Sequence, residues 1–163
     1  RQMCIRDSAQ LALSSIGQYD VAASPLQMAM VAAGIANDGV LMEPYLTRSV
    51  RAANLQTVWS HKDTPMSTPM TRKSAKQLQE MMVSVVNNGT GRNARISGVT
   101  VGGKTGTAQT SPDKPPYAWF VGWSDKPKVA VAVFVESSNT ERSEIAGGRL
   151  GAPIARDVIE ALR

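Results

Sequence analysis

Lys104-Thr105-Gly106-Thr107 is the segment of this chain whose residue types and spacing could do chemistry. A lysine and two hydroxyls projecting from an edge strand can hold a carboxylate. Gly106 lets a substrate backbone approach closely and pair with the strand. The amide just beyond it, that of Thr107, can point at a developing oxyanion. The overlapping stretch Gly98-Val-Thr-Val-Gly-Gly-Lys-Thr105 also has the spacing of a phosphate loop. A phosphate loop needs flexible amides between its glycines and a helix directly after the Lys-Thr pair. Here Val99-Thr100-Val101 is strand material, and the segment through Pro112, Pro115 and Pro116 cannot be helix. The nucleotide reading therefore fails on context, and the bland alternative is an ordinary polar surface strand.

The elements that must position this strand read as follows. Ser24-Pro-Leu-Gln27 has the form of a capping box with proline at the first helical position. It opens a helix over 25–38, with Leu26, Met30, Ala33 and Ala36 as its apolar stripe and Asn37-Asp38-Gly39 as its end. Met28 and Met30 are expected to fill core. Residues 40–70 carry short strand-like pieces, Leu46 to Val50 and Thr57 to Ser60, with a proline-marked connection through Pro65 and Pro69. A second helix opens near Thr71 and runs to about Asn87, with Leu78, Met81, Met82, Val85 and Val86 on its apolar face. Ile96 to Gly103, Tyr117 to Trp123 and Val129 to Glu136 are rich in valine and aromatics and read as strands, the first continuing into Lys104-Thr105-Gly106-Thr107. A closing helix spans Ala152 to Leu162, with Ile154, Val158, Ile159 and Leu162 on one face. Helices, an antiparallel meander and a covering helix make an α+β chain, without the alternation of a parallel sheet.

Composition narrows the function further. The 163 residues are 42% hydrophobic and 19% charged, which excludes disorder driven by charge. The longest apolar run, Val129 to Val135, is too short to span a bilayer. Cys4 is the only cysteine and His61 the only histidine, so neither a disulfide scaffold nor a zinc module is expected, and no metal or other cofactor. His61 sits beside Lys62 and Asp63 with no nucleophile pattern around it, which argues against a catalytic base. The net charge of +5 is scattered. Arg72, Lys73 and Lys76 on the second helix have no interleaved aromatic for base stacking, so a solvated face rather than a nucleic-acid surface is expected.

Five segments in order carry a resemblance. Ser15-Ile-Gly-Gln-Tyr-Asp-Val, Ser24-Pro-Leu-Gln-Met-Ala, Ala36-Asn-Asp-Gly39, Asn88-Gly-Thr-Gly91 and Gly103-Lys-Thr-Gly-Thr-Ala-Gln109 follow the order seen in class B penicillin-binding proteins. Residues 9–163 resemble the C-terminal part of their D,D-transpeptidase domain, particularly of the penicillin-binding protein A type. Residues 1–8 read unlike the rest and are expected to be a foreign or truncated leader. The resemblance implies a β-lactamase/transpeptidase-like fold. It also implies cross-linking of peptidoglycan stem peptides through an acyl-serine, on the extracytoplasmic face of the cell membrane. β-Lactams would trap that acyl-enzyme, and the parent would be membrane-anchored and partnered with a glycan polymerase. Lys104 would join the catalytic hydrogen-bond network, Thr105 and Thr107 would bind the donor carboxylate alongside Gly106, and the Thr107 amide would be half of the oxyanion hole. The family's Ser-x-x-Lys nucleophile and Ser-x-Asn motif should lie upstream of Ile16, so the nucleophile is expected to be absent from this chain. Ser111-Pro-Asp-Lys114 has the first spacing but lies among prolines, and Ser137-Ser-Asn139 has the second but follows the Lys-Thr-Gly. Both are expected to be chance. The alternatives within this chemistry are a serine β-lactamase or D,D-carboxypeptidase; outside it, a non-catalytic β-lactam-sensing or cell-wall-binding module.

Overall fold

The computed structural model describes residues 2–19, 21–109 and 114–163, with side chains from Ser8 onward. Its centre is a three-stranded antiparallel sheet, β5 (Val101–Ala108), β6 (Tyr117–Asp125) and β7 (Lys128–Val135), in the order β5-β6-β7. The register sets Thr105 opposite Phe120, and Phe120 opposite Val133. Because side chains alternate along a strand, Phe120 and Trp123 lie on opposite faces. Phe120 belongs to a core with Val86, Ala152, Ala155 and Ile159, flanked by Val129, Val131 and Val133 from alternate positions of β7. Trp123 belongs to a second core with Ile35 and Met82. Ala130 and Ala132 leave this second face of β7 low enough for a helix to lie against it.

That helix is α2 (Pro25–Ala36), packed on β6 and β7. The expected capping box is present: the Gln27 amide donates to Ser24 Oγ at 3.2 Å and the Ser24 amide to Gln27 Oε1 at 2.8 Å. Its buried residues are Ala32, Gly34 and Ile35, whereas Leu26 is 60% exposed and Ala36 is exposed. The expected stripe is thus rotated onto the face that carries Ala32, Gly34 and Ile35. α3 (Arg72–Asn88) packs against β5, capped by Thr71, whose Oγ1 accepts from the Ser74 amide at 3.1 Å. Ala75, Met82 and Val86 are its buried residues, and Met81 faces out. α4 (Ala152–Ala161) covers the opposite face with Ala152, Ala155 and Ile159. Of the four residues expected on its packed side, Ile159 is fully buried, whereas Ile154, Val158 and Leu162 are exposed.

Two elements lock α2 to α3. Gln79 Nε2 donates to the Ile35 carbonyl at 2.6 Å, at the C-terminal end of α2 where carbonyls lack helical partners. Asp38 pairs with Lys76 at 2.7 Å and Arg72 at 3.2 Å. The hydrogen bond from Lys76 holds the Asp38 carboxyl below its ordinary range, aided by Gln79 and Arg72. Two of the three basic residues on this helix face therefore serve an ion pair.

The remaining elements meet the expectations only in part. Helical backbone α1 (Gln2–Ser15) continues across the expected boundary at residue 8. β1 (Leu41–Met42) pairs with β4 (Pro65–Ser67); β3 (Thr57–Ser60) has its expected bounds and pairs with β2 (Ser49–Arg51), which is shifted from the expected Leu46 to Val50. β5 begins at Val101 rather than Ile96, because a turn through Gly98 (φ +74°) precedes it. A π-helical turn, Gly147–Gly151, leads into α4. Among the described residues no helix is long and apolar enough to cross a membrane.

Candidate active site

No other strand among the described residues pairs with the outer edge of β5. The Asp125 amide donates to the Thr100 carbonyl at 3.1 Å, which fixes which β5 residues bond to β6. By the alternation of an antiparallel ladder, the backbone groups of Gly103, Thr105 and Thr107 point away from β6, toward the open edge. Two contacts agree with this. Lys104 Nζ donates to the Thr105 carbonyl at 2.5 Å, and Gln18 Nε2 reaches the Thr107 carbonyl at 3.4 Å.

The sequence-predicted residues share the strand but not one face. Lys104, Gly106 and Ala108 lie on the face of Trp119 and Val121, where a cleft of about 340 Å³ opens between β5, Met28 of α2 and the loop Ile16-Gly17-Gln18. Thr105 and Thr107 fall on the face of Phe120. Lys104 is exposed and, among the described residues, pairs with no carboxylate. β5 thus offers a cation on one face, two hydroxyls on the other, and outward amides between them. Such an edge can bind an extended peptide by backbone pairing, grip its terminal carboxylate by hydroxyls, and stabilise negative charge at a carbonyl.

The π-helical turn supports this segment from below. A Cβ on Gly147 would strike the Trp119 carbonyl and come within 2.8 and 2.9 Å of the Gly106 carbonyl and amide. A Cβ on Gly148 would strike the Thr90 carbonyl beside Thr105 Cγ2. Because these neighbours are mostly backbone, relief requires the β5–β6 ladder, the Thr90 loop or the turn itself to move. Gly147→Ala is therefore expected to cost about 1–3 kcal/mol and lower the melting temperature by about 2–12 °C. Calorimetry checks it, and an unchanged melting temperature would mean the turn does not bear on β5.

Other candidates lie elsewhere. His61 stacks on Tyr45 at 3.7 Å, outside the cleft. Ser137 and Asn139 lie in the exposed connection after β7, also away from the cleft. Ser111 lies outside the described residues. Residues 16–18, Met28, Thr90 and Gly147-Gly148 are neighbours of the site that the sequence did not mark as such. The first three of these fall in segments quoted for the resemblance, which was their only visible signal as neighbours of the site.

Three comparisons agree on the class of the chain. It belongs to the penicillin-binding protein transpeptidase domain family, whose profile matches residues 6–160. It is 42% identical over 162 residues to the peptidoglycan D,D-transpeptidase PbpA of Mycolicibacterium smegmatis, covering 96% of this chain and 33% of that protein. Stage V sporulation protein D of Bacillus subtilis is 29% identical over 154 residues, covering 91% and 24%. The crystal structure of PBPA from Mycobacterium tuberculosis superposes with a TM-score of 0.83 at 40% identity, over 98% of this chain and 39% of that one. A ceftriaxone acyl-enzyme complex of the same M. tuberculosis protein superposes at 0.84 and 39% identity, over 93% and 35%. The chain thus spans about a quarter to a third of the length of these curated relatives.

Proposed function

We propose that this chain supplies the substrate-binding strand of a peptidoglycan D,D-transpeptidase, with residues 9–163 as the C-terminal part of that domain. The observation that carries the reading is the open β5 edge, where outward Thr105 and Thr107 backbone groups border the cleft under Lys104. A donor stem peptide ending in D-Ala-D-Ala lies along this edge, its carboxylate accepting from the Thr105 and Thr107 hydroxyls. A serine from the family's upstream motif attacks the penultimate carbonyl. The new Oγ–C bond forms as the C–N bond to the terminal D-Ala breaks, and that D-Ala leaves as an amine carrying the serine proton. The Thr107 amide stabilises the oxyanion in between. An amine of a neighbouring stem peptide then attacks the ester; its C–N bond forms as the Oγ–C bond breaks, and its proton returns to the serine Oγ. Lys104 contributes positive potential to this network. A β-lactam, which presents a carboxylate beside a strained amide, takes the donor's place.

The relatives' names favour transfer to an amine over hydrolysis. The same reading places the parent protein at the outer face of the cell membrane, anchored there and working with a glycan polymerase. Labelling with fluorescent penicillin tests it. Residues 1–163 alone are expected to take no covalent label, and the same chain joined to the family's Ser-x-x-Lys segment is expected to be labelled at that serine. A label on residues 1–163 that survives denaturation would put the nucleophile inside this chain and overturn the assignment.

A further inference from the structure

We propose that Thr90 is a positioning residue for the substrate carboxylate, acting through Thr105. The proposal rests on the reading of Thr105 as a carboxylate ligand given above. The two hydroxyl oxygens lie 2.7 Å apart, Thr90 Oγ1 to Thr105 Oγ1. Each hydroxyl carries a single proton. If Thr105 spends its proton on Thr90, none is left for a carboxylate. Thr105 can donate to the substrate and keep this contact only when Thr90 is the donor. The bound state is therefore a directed chain, from the Thr90 hydroxyl to Thr105 Oγ1 and from the Thr105 hydroxyl to the carboxylate. Hydrogen bonds in such a chain polarise one another, so Thr105 is a better donor with Thr90 behind it than alone.

The surroundings hold the Thr90 backbone from both sides. It stands between Gly89 and Gly91, whose amides both donate to the Val85 carbonyl at the end of α3, each at 3.0 Å. Gly148 closes from the other side, against the Thr90 carbonyl and 3.5 Å from Thr105 Cγ2 by its missing Cβ. Asn93 Nδ2 holds the Gly148 carbonyl at 2.8 Å. The end of α3 and the π-helical turn thus set where the Thr90 hydroxyl sits, and its contact with Thr105 follows.

The test uses the longer protein that carries the acylating serine, with pre-steady-state acylation by a β-lactam acid and by its methyl ester. Thr90→Val is expected to slow acylation by the acid about 3- to 10-fold, leaving the ester rate and the melting temperature unchanged. Thr90→Ser, which keeps the donor, is expected to restore the acid rate. If Thr105→Val slows the acid but Thr90→Val does not, the inference falls and the carboxylate reading stands. If neither change matters, the carboxylate reading falls, and this inference with it. Equal slowing of acid and ester by Thr90→Val, or no rescue by serine, would also overturn it, since a merely structural role treats both substrates alike.

Discussion

Replacing Lys104 with alanine is expected to slow acylation about 100-fold or more in the protein that carries the serine. The ammonium lies on the cleft face of β5, is exposed, and among the described residues has only the Thr105 carbonyl as a partner. An unpaired cation beside the reacting groups favours every step in which negative charge develops. Two unit charges about 4 Å apart interact by about 4 kcal/mol at an effective dielectric of 20. Lys104→Met, which keeps most of the apolar stem, is expected to lose as much as alanine, because the lost quantity is charge. The melting temperature should change little, since an exposed side chain without a fixed ion pair contributes within about 0.5 kcal/mol. Stopped-flow acylation with either variant checks this, and a loss below threefold would remove Lys104 from the reaction.

Thr105→Val is expected to slow acylation by a carboxylate-bearing β-lactam roughly 10- to 100-fold. A hydrogen bond to a charged group is worth about 1.5–3 kcal/mol, and valine preserves the shape that packs on Gly148. Thr107→Val should give a smaller loss than Lys104→Ala, because the backbone amide proposed to face the oxyanion survives the change.

The meander was legible because valine and aromatic residues concentrate in three segments separated by turn residues, and β6 and β7 lie within a residue or two of their expected bounds. Helix caps were legible at Ser24 because the box is local. Burial faces were not. On α2 and α4 the sheet accepts Ala32, Ala152 and Ala155 and turns Leu26 and Leu162 outward. Hydropathy ranks those residues the other way. α1 left too weak a pattern at the start of the chain. The π-helical turn depends on hydrogen bonds that no residue type announces.

At the site, the residue types of Lys104 to Thr107 were visible, but their division between two faces was not. That division depends on which strand pairs with β5, and so on the sheet as a whole. Thr90 stands 15 positions from Thr105 in sequence and meets it only through the end of α3. The seat of Gly147 and Gly148 under Gly106 and Thr105 is a tertiary fact that their place in the sequence does not show.

The most direct measurement is the ratio of acylation rates for a β-lactam acid and its methyl ester, in the wild-type protein and in Thr105→Val. If β5 holds the donor carboxylate through this hydroxyl, the substitution slows the acid roughly 10- to 100-fold and leaves the ester unchanged, so the ratio collapses by that factor. Equal slowing of acid and ester, or no change in either, would contradict the carboxylate-binding role of the strand.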